Sequence, residues 1–545
     1  MMDSLKPKIL TALKGYTKEQ FAKDVIAGII VALIALPLSI AFALGAGVSA
    51  EKGIYAAIIA SLVCGMLGGS SVQISGPTGA FIVITQSVIL NYGMEGLAIS
   101  MILAGAMLII MGAFRMGKLV KFVPAPITTG FTAGIAITIF TLEMKDFLGL
   151  TPDNMPVKFI GKWQYYLTHL SDINYESVLL GLVCIIILVI WPKINKTIPG
   201  SFVAIVFGSV AAYVLNLDVK LLGEIPRTLG IPDLPKVDIQ TVIDLMQPAL
   251  TIAILIAMQA LLSAVVTDGL VNSKTNSNIE LMAQGLANVI LGVFGCIPAT
   301  GGVARGIASA KNGARTPVAT LVHSLVLFVF LMFLMPLIKL IPLCVLAAIL
   351  IVVSYNMFNV KAMLGYRTAP KSDAIVLVCS CVLTFAFDLV LAIEVGMVLS
   401  CALFMKRVSE ESEVKVWKHY EENDPDSINL RRVPQYVRVY EITGPMFFAV
   451  ADRIGDITVK ESTRCLIIRM RGVPSLDATA MYSLEKLYES CTAKGVELIF
   501  SHVNEQPYRT MEKAGFAKKV GRDNFCSHID EALERAQNLA EAQAG

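Results

Sequence analysis

The chain has 545 residues, 55% of them hydrophobic and only 16% charged, with a mean hydropathy of +0.68, far too apolar for a soluble protein of this size. Its net charge of +3 sits in short loops, which argues against a nucleic-acid partner, and its ten scattered cysteines form no C-x-x-C pair and have no neighbouring His cluster. A polytopic membrane protein with no disulfide framework, metal site or cofactor is expected, and no Ser/His/Asp set or phosphate loop suggests an enzyme.

Residues 1–23 carry Lys6, Lys8, Lys14, Lys18 and Lys23 without a small-residue cleavage site, and read as a cytoplasmic lead-in. Fourteen apolar segments able to span or half-span a bilayer follow, at about 25–45, 53–69, 77–92, 97–114, 124–142, 176–192, 199–216, 246–267, 280–297, 300–311, 317–338, 342–358, 373–388 and 389–405. With the N-terminus inside, Arg115/Lys118/Lys121, Lys193/Lys196, Lys274, Lys311/Arg315, Lys361/Arg367/Lys371 and Lys406/Arg407 share the cytoplasmic face. The long loops 146–175 and 217–245 fall on the other face. A multi-pass protein of the cell membrane, with both termini cytoplasmic, is expected.

The stretch Ile74–Gln86, ISGPTGAFIVITQ, enters the membrane through Gly-Pro-Thr-Gly where an ordinary span carries apolar residues. A helix that starts at mid-depth presents unpaired N–H groups and the positive end of its dipole, an anion site without a charged side chain. Pro77-Thr78-Gly79-Ala80 is echoed by Ala299-Thr300-Gly301-Gly302, 222 positions later. Leu119-Val-Lys-Phe-Val-Pro124 is echoed by Leu337-Ile-Lys-Leu-Ile-Pro342, 218 positions later. Two landmarks at nearly one offset imply a repeat, about 24–216 and 246–407, and its seven spans force the second copy to enter from the opposite face. The two broken helices should then point their N-termini at each other near the midplane.

A transport domain over 24–407 passes into a polar linker, 408–436, and a separate domain at 437–545. Strand candidates there are Val437–Ile442, Met446–Val450, Cys465–Met470 and Val496–Ser501. A helix follows the N-cap Asp477, with Met481, Leu484, Leu487 and Cys491 on one stripe and Gly495 past its end. This is a small α/β domain.

Asp24-Val-Ile-Ala-Gly28 with Leu36-Pro37, Ser75-Gly-Pro-Thr-Gly79, Leu261-Leu-Ser-Ala-Val-Val-Thr-Asp268, Asn276-Ser-Asn-Ile-Glu280-Leu-Met-Ala-Gln-Gly285 and Gly313-Ala-Arg-Thr-Pro317 together resemble the SulP-type anion transporters. The resemblance covers essentially the whole chain. It implies a seven-plus-seven inverted-repeat fold like that of the uracil permeases, a core domain moving against a gate domain, a C-terminal STAS domain and a homodimer. Sulfate is the first expectation for the substrate, with bicarbonate, chloride and dicarboxylates open. An anion channel and a membrane-anchored STAS signalling or scaffold protein are the other classes. Where phosphorylated STAS proteins carry Asp-Ser this chain has Asp477-Ala478, so the resemblance implies an interaction or regulatory domain with a cytoplasmic protein partner.

The substrate site is expected at the backbone N–H groups of Thr78, Gly79, Ala80 and Phe81 and of Gly301, Gly302, Val303 and Ala304, helped by the Thr78 and Thr300 hydroxyls. The glycines could instead only permit tight helix packing. Arg305, one turn into the second half-helix, either shapes the anion site's potential, as the resemblance implies, or snorkels to the loop. Pro37 lies 222 positions before Gln259, so the two hold equivalent places, and its kink lies beside the site or is incidental. Many relatives carry an acid where this chain has Gln259. In the family's sodium-coupled bicarbonate transporters an Asp there helps hold the cation, with a Thr four residues on and Thr and backbone groups at the next half-helix. Gln259, Ser263 and Val303 make a poor sodium site, so sodium coupling is not expected. Asp268 and Glu280 read as helix-end or gate residues, and Glu143, Asp388 and Glu394 as solvated span ends.

Overall fold

The computed structural model describes residues 6–542 apart from 14, 118–123, 152–155, 157, 196–197, 224–238, 388, 412, 417–432, 435, 449–453, 455–456 and 458–461. It comprises two compact units, Met1–Val398 and Leu399–Gly545. The repeat landmark at 119–123 and Asp388 lie outside the described residues.

In chain order the first unit holds α1 (Lys8–Ala12), α2 (Lys18–Gly45), α3 (Ala50–Leu67), β1 (Ser75–Pro77), α4 (Ala80–Ala113), α5 (Ala125–Phe147), α6 (Phe159–Thr168), α7 (Tyr175–Ile194), α8 (Gly200–Val214), α9 (Ile239–Val271) and α10 (Ser277–Val293). It continues with β2 (Ala299–Gly301), α11 (Val303–Lys311), α12 (Val318–Ile338), α13 (Leu343–Phe358), α14 (Val360–Gly365) and α15 (Lys371–Ala386), and α16 (Leu389–Glu411) crosses into the second unit. Each of the fourteen expected segments falls on one of these helices. Two of them share α4, which Gly93 at φ 69° breaks into two helices. Polar residues set the starts: Thr17 accepts the Gln20 N–H at 3.2 Å, Asn174 that of Ser177 at 3.0 Å, and Asn276 those of Asn278 and Ile279.

Helices α2, α3, α4, α9, α10, α11 and α12 pack on one another, and α5, α7, α8, α13 and α15 form a second bundle, with far sparser contact between the two sets. Small residues allow the close approach. A Cβ on Gly105 would lie 2.5 Å from the Gly285 carbonyl, and one on Gly285 2.6 Å from the Gly105 carbonyl, so α4 and α10 touch backbone to backbone. We call the sets the core and gate bundles.

In the second unit, β3 (Glu413–Val416), β4 (Val437–Thr443), β5 (Cys465–Gly472), β6 (Glu497–Ser501) and β7 (Phe525–Cys526) form one sheet in sequence order, antiparallel at β3–β4 and parallel thereafter. Strand alternation splits the core: Leu466 and Ile468 pack with Met481, Leu484 and Cys491 of α17 (Ala478–Ala493), while Cys465 and Ile467 face Ile529, Ala532 and Ala536 of the helix Ile529–Ala542. The segment read as linker, 408–436, therefore contributes an edge strand; Glu413 and Lys415 hid it by giving β3 a polar composition. Of the expected strand Met446–Val450, Met446 forms an isolated bridge to Leu476, and Ala449 and Val450 lie outside the described residues.

Candidate functional site

Two short strands organise the core bundle. β1 and β2 pair antiparallel, Ser75 opposite Gly301, Gly76 opposite Thr300 and Pro77 opposite Ala299. Each chain then turns into a half-helix, α4 at Ala80 and α11 at Val303. Because the strands are antiparallel, the half-helices leave the two ends of the ribbon in opposite directions. Each half-helix turns its positive dipole end toward this ribbon.

Hydrogen-bond accounting narrows the set of amides able to bind a ligand. Phe81 N–H donates to Thr78 O at 3.2 Å, and Gly302 N–H donates to Ile74 O at 3.1 Å, extending the ladder by a rung. Those two amides, expected in the site, are committed elsewhere. Helix geometry leaves the N–H groups of Gly79 and Ala80 on one side, and of Val303, Ala304 and Arg305 on the other, without an intrahelical acceptor. A Cβ on Gly79 would meet Phe42 of α2, Ile139 of α5 and Met357 of α13, each at 3.3 Å. The first half-helix tip therefore lies against both bundles.

The side chains divide differently from the sequence expectation. Thr78 donates its hydroxyl to Gln259 Oε1 at 3.0 Å, joining the first tip to α9. With its oxygen engaged, the Gln259 amide retains two N–H donors, a polarity suited to an anion. Thr300 instead donates to the Ile256 carbonyl at 3.0 Å, inside the core, so its hydroxyl proton is not available at the tip. Arg305 is buried, and its Nη2 donates to Pro77 O at 2.7 Å, which places the guanidinium behind β1 rather than out at the loop. A Cβ on Gly76 would lie 2.1 Å from Arg305 Nη1, which explains a glycine there. Val303 is half-buried and Ala304 exposed. Pro37 sits inside α2 and lines an apolar crevice against α8 with Leu36 and Ile40.

A polar brace that the sequence reading missed holds the strands. Glu280 is buried; its Oε2 accepts the Gly69 and Ser70 N–H groups at 2.9 and 3.2 Å, and its Oε1 accepts the Gln73 and Gln284 side-chain amides at 3.1 and 2.9 Å. Gln284 also donates to Ser75 Oγ, and Asn288 bonds Ala299 through both N–H and C=O. Glu280, Gln284 and Asn288 recur every four residues on α10, a polar stripe that could have revealed the brace. Glu280 is thus in the first turn of its helix but supports the approach to the site. Buried Asp24 similarly accepts the Arg315 N–H and the Thr316 hydroxyl at 2.9 and 2.5 Å, tying α2 to the loop beyond α11. Glu143, read as a solvated span end, is only 6% exposed.

Inverted half-helices meeting across a two-stranded ribbon, with a gate bundle beside the core and a STAS-like sheet domain following, define a membrane anion transporter of the inverted-repeat class. The profile described as the Sulfate permease family matches residues 21–380 and that of the STAS domain residues 427–532. The chain belongs to the sulfate permease family. It is 35% identical to a Bacillus subtilis protein named "Putative sulfate transporter YvdB", over 95% of this chain and 98% of the relative. Identity to the bicarbonate transporter BicA of a Picosynechococcus species is 30%, over 94% of each chain. The fold matches murine Slc26a9, described as an anion transporter in the inward-facing state, with a TM-score of 0.89 at 20% identity over 98% of this chain and 94% of the other. The BicA transmembrane domain matches with a TM-score of 0.63 at 26% identity, over 71% of this chain and 98% of the other. These relatives are named as transporters, not enzymes.

Proposed function

We propose that the protein is a secondary transporter that carries a small anion between the Gly79–Ala80 and Val303–Arg305 tips, and that the core bundle moves this site past the gate bundle in an elevator-like cycle. The observation that carries the reading is the antiparallel pairing of Ser75–Pro77 with Ala299–Gly301, which sets two positive helix ends on one short ribbon. Gly79 supports the moving interface: its flank is in van der Waals reach of Ile139 and Met357 on the gate, so a bound anion would lie where the bundles must slide. Gln259 offers N–H donors and Arg305 a fixed positive charge behind the ribbon.

Sulfate is the leading substrate and bicarbonate the next, in line with the names of the two relatives, with chloride and dicarboxylates completing the panel. Gln259, Ser263 and Val303 offer no carboxylate for a hard cation, so coupling to sodium is not part of the proposal. The working unit is a homodimer in the cell membrane, with both termini cytoplasmic and the STAS domain meeting a protein partner. Purified protein in proteoliposomes, given labelled sulfate, bicarbonate or fumarate with and without sodium or a pH gradient, tests this. Saturable uptake of one anion, independent of sodium and abolished by Gly79→Val, is expected. Strict sodium dependence would overturn the reading of Gln259, and unsaturable flux would make the protein a channel.

A further inference from the structure

A cavity of about 580 Å³ lies between the first half-helix and the gate bundle. Val83 and Gln86 of α4 form one wall, Lys145 and Asp146 the end of α5, and Lys158 and Lys162 lie at and just inside the start of α6. Gln86 is six residues beyond Ala80, so this space is centred roughly 9 Å along the half-helix from the proposed anion site. Asp146, Pro156, Lys158, Phe159 and Lys162 of the 146–175 loop line it. Lys145 lies 3.5 Å from Asp146 Oδ1 and has a partner. Lys162 is half-buried and forms no ion pair among the described residues. Burial, and then the charge of Lys145, lower its pKa, so two ammonium groups share a partly desolvated wall. Glu143 lines the same cavity, giving three lysines against two carboxylates, a net positive chamber.

We propose that Lys162 and Lys145, with Lys158 at the rim, form a capture site for a small inorganic or carboxylate anion, one stage before the half-helix tips. The inference rests on the transport reading above. An anion between the two ammonium groups relieves their repulsion, and transfer onward is then a short passage along α4 past Gln86 and Val83 to the amides of Ala80 and Gly79. A divalent anion gains about twice the attraction of a monovalent one in this field. The site therefore acts on capture rather than on the movement of the core.

Right-side-out and inside-out membrane vesicles containing the full chain, given labelled sulfate, bicarbonate or fumarate, separate the steps. Lys162→Gln should raise KM for the carried anion several-fold when it enters from the face of the 146–175 loop, with Vmax within twofold of wild type and KM from the opposite face unchanged. Lys162→Arg should restore KM, which shows that the variant folds. About 1 M salt, where the Debye length is about 3 Å, should erase the difference between Lys162→Gln and wild type. An unchanged KM, or an equal rise from both faces, overturns the capture site and leaves the half-helix reading standing. A wild-type protein that carries none of the three anions overturns both.

Discussion

The two half-helix tips look alike in sequence and differ in what they offer. At the first, Thr78 is half-buried and bonded to Gln259, and Gly79 lies against Phe42, Ile139 and Met357, so this tip faces the contact between the two bundles. At the second, Thr300 is buried in the middle of a strand with its hydroxyl spent on Ile256, and the polar contribution comes from Arg305, held against Pro77 O. In the proposed site, one tip presents hydrogen-bond donors to the anion and the other supplies fixed charge from behind. A quasi-symmetric fold has thus divided attraction and contact between its halves.

Removing the charge is the strongest way to break this division. Truncating a buried, hydrogen-bonded charge in a binding site costs about 2–5 kcal/mol, so Arg305→Gln should weaken anion binding roughly 30-fold or more. Isothermal titration or equilibrium dialysis in detergent reads this directly. Binding within threefold of wild type would show that dipoles alone hold the anion. Next in size is the brace beneath both tips. Glu280→Gln sets a new N–H₂ group among four donors from Gly69, Ser70, Gln73 and Gln284, leaving unsatisfied groups that cost about 1–3 kcal/mol. Thermal unfolding should fall by several degrees and uptake about tenfold; an unchanged midpoint would mean that β1 holds its place without the carboxylate.

Much of this architecture was legible because the bilayer demands apolar runs of fixed length: all fourteen segments fall on helices, and the Gly-Pro-Thr-Gly break marks a helix that starts within the protein. The register was harder to read. The sequence echo sets Thr78 against Thr300 at an offset of 222, whereas the helix starts, Ala80 and Val303, differ by 223 and the strand starts, Ser75 and Ala299, by 224. In a strand with a side-chain period of two, such a slip decides which way a hydroxyl faces. Phe42, Ile139 and Met357 were illegible because apolar residues in spans look alike until the bundles are assembled. Glu280 is the helix-end residue the sequence suggests, but its bracing role was not legible because its four partners lie more than 200 residues earlier or on its own helix.

A smaller effect is expected at the first tip. Thr78→Val removes one hydroxyl that is bonded to Gln259, a loss of about 0.5–1.5 kcal/mol that should raise KM about two- to tenfold. Gln259→Ala should do the same, and the double variant should be no worse than the more severe single one, because both end the same contact. Fully additive losses in a double-mutant cycle would show that Thr78 and Gln259 act on the anion separately.

Thr300→Val gives the smallest effect and the sharpest contrast. The hydroxyl faces Ile256 O within the core, so its loss leaves a buried carbonyl with one acceptor site unused, at about 1 kcal/mol in stability. Valine has nearly the same shape and a strong strand preference, which favours β2 as it stands. KM should stay within twofold of wild type while thermal stability drops by a few degrees, the reverse of the Thr78→Val pattern. If Thr300→Val instead raised KM as far as Thr78→Val with stability intact, the two hydroxyls would both reach the ligand during the cycle. The asymmetry would then belong to one conformation of the core bundle, and the sequence echo would be the better guide to the working site.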